Sequence, residues 1–393
     1  MARVVAYCQA SGIEPPTQDT GDYCRARAKL CEGALHELTT LVAGDVEQAA
    51  KPAWLWKGLH AKLVDGFTFT MPDTPANQAE YPQPKTQRPG CGLPIARAVV
   101  VVSLATACVL DAAIARYRGK QTGESALLRM LLGRFGAGDV AVMDRYYCSF
   151  MMIALLRGRG AEVCARKHHK RHSDFRRGLR LGKYDHLIAW TRPARPAWMD
   201  QAAYELIPPL LVLREIRYWI VEKGRRTKSV TIITTLLDPA VHDKQSIADL
   251  YGFRWNSETD INHIKTSLNL NHVRTLSPEM VRRELWATLL AYNLIRTTAA
   301  AAALAHQKLA RQISFTSTCQ YVLATWMVIR ADHPHSDRLK QIAATALEHI
   351  AACEVANRPG RLEPRVRKRR PKPYPLMQKP RSVLRAQLAK RCT

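Results

Sequence analysis

Acidic residues are scarce in this sequence relative to basic ones. Its 393 residues include 33 Asp and Glu against 59 Lys and Arg, which gives a formal net charge of +26 at pH 7. So large a basic excess predicts a polyanionic partner, because neutralising phosphates releases their condensed counterions. On charge alone, nucleic acid and an anionic membrane both satisfy this expectation. The hydrophobic content of 47% is enough for a buried core and excludes global disorder.

Long hydrophobic runs are also missing. The first residues, MARVVAYCQASGIEPP, contain neither an extended apolar core nor a cleavage site, so they are not a secretory signal. The longest apolar stretch, from Ala98 to Leu110, is interrupted by Ser103 and Thr106 and is too short to span a bilayer. We therefore expect a cytoplasmic protein with no membrane partner, and nucleic acid is favoured as the polyanion.

Closely paired cysteines are absent as well. The ten cysteines are scattered without a CxxC pair, which in a reducing compartment indicates ordinary thiols and not a disulfide framework. Cys164, His168 and His172 could be imagined as zinc ligands, but they belong to a basic run. Solvated or phosphate-facing histidines explain this run better than a zinc site does.

The order of apolar patterns along the chain predicts the fold class. Alternating or β-branched segments predict strands, and apolar residues at helical spacing predict helices. In chain order we predict strands at 62–71 and 97–107, a further short strand or turn, a helix at 124–135, a strand at 140–143, a helix at 149–157 and a strand at 161–165. This is the order of a ribonuclease-H-like α/β fold, a mixed sheet with helices on its faces.

The length of the chain exceeds one ordinary compact core, so we expect several regions. These are a mostly helical region at 1–58, the first part of the core at 59–167, a β-rich insertion subdomain at 168–236, the second part of the core at 237–310, and carboxy-terminal helices with a basic tail at 311–393. From 358 to 393 the chain has 13 Lys or Arg and one acidic residue. This composition predicts a flexible tail that contacts phosphates, with a merely solvated tail as the alternative.

The segment YGFRWNSETDINHIK carries four chemically distinct side chains at helical spacing. Tyr251, Arg254, Glu258 and Lys265 would lie within about 60 degrees of the circumference of one helix. A carboxylate could hold a divalent ion while the phenol and the two cations hold phosphate oxygens, as phosphoryl transfer requires. A salt-bridged exposed face is an equally good explanation of the spacing alone.

A catalytic metal site needs more than one carboxylate. Asp65 lies in the strand-like segment KLVDGFTF, and Asp144 ends the strand-like segment VAVMD. Strand ends are where α/β folds expose reactive groups. Asp65 could instead form a turn with the following glycine, and Asp144 could instead be a helix cap. Asp111 and Asp139 are rival carboxylates that resemble loop residues.

Taken together, these residues resemble the Tyr-Arg-Glu-Lys signature of the insertion-sequence-four family of bacterial DDE transposases. Further segments agree with that family over nearly the whole chain: WKGLHAKLVDGFTFTMPDTPANQAEYPQP, GDVAVMDRYYCS, DFRRGLRLGKYDHLIAW, TTLLD and TLSPEMVRRELWATLLAYNLIR. The resemblance implies a ribonuclease-H-like fold with a β insertion before the helix that bears the glutamate. It also implies that region 1–58 is a shortened form of the family's amino-terminal region.

The resemblance further implies which residues act and on what. Asp65, Asp144 and Glu258 would be the acidic triad that holds two magnesium ions, for which manganese is expected to substitute. Tyr251, Arg254, Trp255 and Lys265 would contact DNA, with Trp255 as a candidate to stack on a flipped base. Double-stranded DNA is the expected partner, with a homodimer in the DNA complex and a nucleoid location. The competing interpretations are an inactive DNA-binding remnant and a nuclease of the same fold.

Overall fold

Within the residues that the computed structural model describes, nine strands form one mixed sheet. The described residues are 5, 8–9, 11–15, 21–220, 229–328, 337–356 and 377–390. The strands are β1 His60–Thr70, β2 Ile95–Ser103, β3 Val109–Arg116, β4 Asp139–Met143, β5 Glu162–Arg166, β6 Leu179–Gly182, β7 Asp185–Thr191, β8 Leu210–Trp219 and β9 Ser229–Thr234. Their order across the sheet is β3-β2-β1-β4-β5-β9-β8-β7-β6.

The pairing of the first five strands follows the order expected from the sequence. β1, β2 and β3 are antiparallel neighbours, and β4 and β5 run parallel to β1 on its other side. The predicted class, a mixed sheet with flanking helices, is therefore confirmed. Strands β6 to β9 are mutually antiparallel and continue the same sheet, because β9 pairs with β5.

Helices cover both faces of this sheet. They are α1 Gly21–Ala28, α2 Glu32–Gln48, α3 Pro75–Glu80, α4 Glu124–Met130, α5 Phe150–Gly158, α6 Gln201–Glu205, α7 Lys244–Gly252, α8 Trp255–Asn262, α9 Pro278–Ala305, α10 Phe315–Val328, α11 Asp337–Ala352 and α12 Arg381–Ala389. A π-helical turn, His263–Ser267, follows α8 directly. Among the described residues, none of these helices has the length and apolar character that a bilayer span requires.

Alternation along the central strands divides the buried residues between two cores. Val64 of β1 and Met143 of β4 pack with α4 and α5 on one face. Leu63 and Val142 pack with α7, α8 and the first half of α9 on the other face. Successive residues of a strand point to opposite faces, so the residue after Val64 and the residue after Met143 both continue the second face.

The segment that carries Tyr251, Arg254, Glu258 and Lys265 is not one continuous helix, so the placement of all four side chains on one helix is wrong. Helix α7 ends at Gly252, and α8 begins with Arg254 as its N-cap. Glycine weakens a helix by about 1 kcal/mol relative to alanine, which favours a break at this point. Tyr251 therefore lies on a different helix from Glu258, and Lys265 lies in the π-helical turn.

The carboxy-terminal part of the basic tail is ordered against the core, contrary to the expectation of a uniformly flexible tail. Arg381, the first residue of α12, forms a 3.1 Å ion pair with Asp73. Its guanidinium also donates to the Gly92 carbonyl, and its backbone N–H donates to the Gly90 carbonyl. Residues 358–376 and 391–393 of the predicted tail lie outside the described residues.

Candidate active site

The parallel register of β1 and β4 places two of the predicted carboxylates next to each other. Val64 pairs with Met143, so Asp65 and Asp144 follow at the same level of adjacent strands, which lie about 4.8 Å apart. Asp65 is within β1 and not in a turn, which excludes the turn alternative. Asp144 is not a helix cap, because α5 is capped by Ser149.

Helix α8 brings the third carboxylate to the same place. The Arg254 guanidinium donates to Glu258 Oε1 at 2.6 Å and, more weakly, to Asp65 Oδ2 at 3.4 Å. The Ser257 hydroxyl also donates to Asp65 Oδ2, at 3.1 Å. Arg254 is thus the direct link between the β1 carboxylate and the α8 carboxylate.

The three carboxylates line one open, polar cavity of about 580 Å³. Arg254 and Lys265 line it as well, so five of the seven residues singled out in the sequence share this cavity. Lys265 lies 6.0 Å from the Phe67 ring centroid, and burial lowers the pKa of its ammonium group. A cavity with several carboxylates and several cations is suited to a charged, phosphate-bearing substrate.

The other two predicted DNA contacts lie at different depths. Tyr251 is buried behind the cavity, and burial raises the pKa of its phenol. The negative charge of Asp144 contributes to that rise, and the positive charge of Arg254 opposes it. Trp255 is 61% exposed, so it is not a core tryptophan.

The rival carboxylates have structural partners outside this cavity. Asp111 is buried and accepts hydrogen bonds from His36 at 2.9 Å and from Arg134 at 2.7 Å. Asp139 accepts from the Lys62 ammonium group at 2.7 Å. Asp111 lies in β3 and Asp139 in β4, so neither is a loop residue, contrary to expectation. Asp111 holds α2 and the turn of Arg134 against the sheet, and Asp139 links β4 to β1.

A buried ionic cluster fixes the helix that carries Glu258. Asp260, on the opposite side of α8, accepts hydrogen bonds from Arg296 and Tyr292 of α9 at 2.9 and 3.0 Å. Arg311 donates to its other oxygen at 2.9 Å and also to the backbone carbonyls at the end of β2. Asp260 has no solvent exposure, so α8 is tied to both α9 and the sheet.

A fourth carboxylate, Glu124, lines the cavity and was not predicted from the sequence. It is the first residue of α4, on the opposite face of the sheet from α8. Burial raises its pKa, the Arg97 guanidinium opposes this, and the charges of Asp65 and Asp144 add to it. Asp65 likewise has a raised pKa, chiefly through burial.

The donor set of the cavity suits a hard divalent cation, which takes oxygen ligands. Four carboxylates line the cavity, and two of them are buried enough to have raised pKa values. Among the described residues, however, no three His, Cys, Asp or Glu side chains are placed to hold one ion. The Arg254 guanidinium supplies the positive charge between Asp65 and Glu258 instead.

Comparisons with known proteins show the family to which this chain belongs. Residues 56–294 match the transposase DDE domain family. The chain is 27% identical over 363 residues to transposase InsG for insertion sequence element IS4 from Escherichia coli (strain K12), covering 89% of this chain and 77% of that protein. It also resembles a cryo-EM structure of the piggyBac transposase synaptic complex with hairpin DNA, at 10% identity and a TM-score of 0.41. That likeness covers 73% of this chain but only 57% of the piggyBac chain, and a score this low adds no support for function.

The family match covers more than half of the chain, so this chain belongs to the transposase DDE domain family. The resemblance to DDE transposases of the insertion-sequence-four family is confirmed by the same match and by the IS4 relative.

Proposed function

We propose that this chain is a DDE transposase that cuts the ends of a mobile DNA element and joins them to new DNA. The observation that carries the proposal is the shared cavity of Asp65, Asp144 and Glu258, which come from positions 79 and 114 residues apart. The family match spans all three positions. A cavity rich in carboxylates is what metal-assisted phosphoryl transfer requires.

Asp65, Asp144 and Glu258 would hold the metal ions, with magnesium as the expected ion and manganese as a substitute. When bound, a pair of such ions would activate water and later a 3′-hydroxyl for in-line attack and would stabilise the leaving oxygen. The ion pairs of Arg254 with Asp65 and Glu258 would have to break before metal ions could bind to these carboxylates.

The cationic and aromatic residues would position DNA. Arg254 and Lys265 would offset the charge of phosphates near the cut, since both line the cavity. Tyr251 would hydrogen-bond a phosphate after a small opening at the α7–α8 break. Trp255, largely exposed beside Arg254, would stack on a base that has left the duplex.

A second cavity offers a path for the DNA backbone away from the cut. It has a volume of about 360 Å³ and lies beside Asp144, because Arg145 lines it. Five of its eleven lining residues are Lys or Arg, including Arg166, Arg171 and Arg217, and three are histidines, including His168 and His172. The other three carry hydroxyl groups, and none of the eleven is acidic. Such a lining fits phosphates, and we assign it to double-stranded DNA on this ground.

The regional organisation belongs to the same proposal. We assign 59–167 and 237–310 to the catalytic core, 168–236 to a β-rich insertion, 1–58 to an amino-terminal region and 311–393 to carboxy-terminal helices with a basic tail. The continuity of β6 to β9 with the core sheet supports an insertion that is fused edge to edge with the core. A homodimer in the DNA complex remains the expected assembly, and the mass of the complex would test it.

The proposal is tested by nicking of a duplex that carries the end sequence of the element, identified by searching the DNA on either side of the gene for inverted repeats. Wild type should cut this duplex with magnesium or manganese and should not cut it in the presence of a chelator. Asp144→Ala should abolish cleavage but leave DNA binding nearly intact, because the carboxylate acts in the transition state. Asp139→Ala is the matched control, since Asp139 is a neighbouring buried acid outside the cavity.

Three outcomes would count against the proposal. Equal cutting by wild type and Asp144→Ala would remove Asp144 from the site. Binding without any cleavage by wild type would favour an inactive remnant. Cutting of a scrambled duplex at the same rate would favour a nuclease.

A further inference from the structure

Glu124 approaches the cavity from the face of the sheet opposite to α8. Its neighbours Leu127 and Leu128 pack in the core beneath α4, whereas Ile261 of α8 packs in the other core. Glu124 nevertheless lines the same cavity as Asp65 and Asp144. A residue of the α4 face can reach these carboxylates only where the sheet has an opening.

Gly66 provides that opening. It follows Asp65 in β1, and a Cβ atom at this position would lie 2.8 Å from Glu124 Cδ and 3.0 Å from Glu124 Oε1. Any larger residue would therefore displace the Glu124 carboxylate. A glycine inside a strand is otherwise unfavourable, and it often marks a close approach.

Two polar neighbours hold the Glu124 carboxylate in place. The Tyr147 hydroxyl, on a side chain that is 1% exposed, interacts with Glu124 as a hydrogen bond donor, which opposes the rise in the pKa of that carboxyl. The Arg97 Nε atom lies 4.0 Å from Glu124 Oε1. A half-buried carboxylate that is fixed in this way beside two further carboxylates, Asp65 and Asp144, is placed to contribute an oxygen ligand to a shared cation site.

We propose, on the basis of the transposase function above, that Glu124 is a fourth carboxylate of the divalent-metal site. Glu124 would help to hold a metal ion from the α4 face, directly or through a water molecule, and the Tyr147 hydroxyl would orient the Glu124 carboxylate by donating a hydrogen bond to it. The alternative is that Glu124 is only the ion-pair partner of Arg97.

The test is a titration of the full-length protein with Mn²⁺, followed by electron paramagnetic resonance of the free ion, with and without duplex DNA. Glu124→Gln, which keeps the size of the side chain, should weaken Mn²⁺ binding about 10- to 100-fold, as loss of a metal-site partner does. Glu124→Asp, which keeps the negative charge, should weaken Mn²⁺ binding less than Glu124→Gln does. Glu80→Gln is the matched control, because Glu80 also lies on a short helix and pairs with an arginine, Arg116 at 3.6 Å, outside the cavity.

Asp144→Asn separates this inference from the function on which it rests. If Asp144→Asn weakens Mn²⁺ binding and Glu124→Gln does not, Glu124 is not part of the metal site. The proposed site of Asp65, Asp144 and Glu258 is then retained. If neither substitution weakens binding, or if wild type binds no Mn²⁺ with or without DNA, both proposals fail. If Glu124→Gln unfolds, Glu124→Asp decides: binding equal to wild type by a folded Glu124→Asp protein overturns the inference.

Discussion

At the scale of single residues, Arg254 lies between two of the carboxylates that we propose as metal ligands. Its guanidinium contacts Glu258 at 2.6 Å and Asp65 at 3.4 Å. In the free protein these contacts limit the repulsion between two acids that share a cavity. A bound DNA phosphate would compete for the same guanidinium, so DNA binding and metal binding are expected to assist each other.

Removing this guanidinium should therefore have opposite effects on the two ligands. Arg254→Gln should raise the affinity of the free protein for Mn²⁺ about tenfold, because a charge-assisted hydrogen bond no longer competes with the ion. The same substitution should weaken DNA binding. Calorimetric titration with Mn²⁺ and a gel-shift assay measure the two effects.

Arg282→Gln is the control for the loss of one positive charge. Arg282 forms a comparable 2.8 Å ion pair with Glu32, but neither residue lines the cavity. The Arg282→Gln substitution should therefore leave the affinity of the protein for Mn²⁺ unchanged. Unchanged or weaker Mn²⁺ binding by Arg254→Gln would show that Arg254 does not compete for this position.

The sequence allowed prediction of the residues that stand out chemically but not of those that depend on packing. Asp65 and Asp144 could be proposed because each lies in a short apolar segment of strand character. Their adjacency follows from the β1–β4 register, which no local pattern encodes. Glu124 looked like an ordinary first-turn acid, and its only signal was Gly66 inside a strand pattern.

At the scale of secondary structure elements, the position of α8 depends on the buried cluster around Asp260. Two arginines from separate elements converge on this carboxylate, one from α9 and one from the segment after it. Removing one partner of a buried ion pair costs about 3–5 kcal/mol, because the other charge is left unpaired.

Asp260→Ala should therefore destabilise the protein by about 3–5 kcal/mol and also misplace Glu258. Urea unfolding measures the first effect. Nicking at a temperature where the variant stays folded measures the second, and we expect a loss of at least about tenfold. This loss reports on positioning, since Asp260 does not line the cavity.

Asp185→Ala is the matched control for buried ion-pair loss. Asp185 pairs with the fully buried Arg214 at 2.6 Å, far along the sheet in β7 and β8. Asp185→Ala should lower the stability of the protein by a similar amount. While this variant stays folded, its nicking rate should remain near that of wild type. Equal nicking losses in both variants would contradict a positioning role for Asp260.

His263, in the π-helical turn after α8, makes the stability of the fold depend on pH. Its ring stacks on Phe315 at 4.5 Å, and burial together with the Arg296 charge lowers its pKa to about 4 from 6.5, while Asp260 opposes the shift. A histidine with a lowered pKa stabilises the fold above its unfolded pKa, and this stability is lost as the pH falls toward the folded pKa.

Stability should thus fall by up to about 3 kcal/mol between pH 6.5 and pH 4 through this group. Urea unfolding across that range, compared with His263→Asn, isolates the contribution, and the variant should have a flatter profile. A proton NMR titration of the His263 ring gives its pKa directly. Titration near 6.5 would rule out the proposed coupling.

The break between α7 and α8 shows why helical spacing alone was misleading. Tyr251, Arg254, Glu258 and Lys265 fit one helix face arithmetically, yet the backbone interrupts the helix after Gly252 and widens it from His263. Tertiary contacts, not local propensity, decide such interruptions. Three of the four side chains still reach the cavity.

At the scale of the whole molecule, strand order was predictable and sheet extent was not. The run of three strands, helix, strand, helix and strand predicted the first five strands in chain order and the mixed sheet that they form. Whether β6 to β9 would form a separate sheet or extend the first depends on the single pairing of β9 with β5. Long-range pairing of this kind leaves no periodic trace in a sequence.

The net charge of +26 predicts steeply salt-dependent DNA binding. Deleting residues 358–393 removes 13 Lys and Arg and one Glu, which leaves 46 basic and 32 acidic residues. If about five of those cations contact phosphates, the slope of log affinity against log salt should fall by about 4 to 5. Affinities measured between about 50 and 200 mM salt give both slopes.

The deletion also removes Arg381, which pairs with Asp73 and helps to hold α12 against the core. A second variant separates charge from docking: glutamine at the seven basic positions of 361–372, with 377–393 retained. If both variants lower the slope, the segment before α12 contacts DNA. If only the deletion lowers the slope, the phosphate contacts are made by residues around α12. In that case the Arg381–Asp73 ion pair positions those residues. Identical slopes in all three proteins would mean that the tail is merely solvated and that the core surface, including the basic cavity beside Asp144, carries the phosphate contacts.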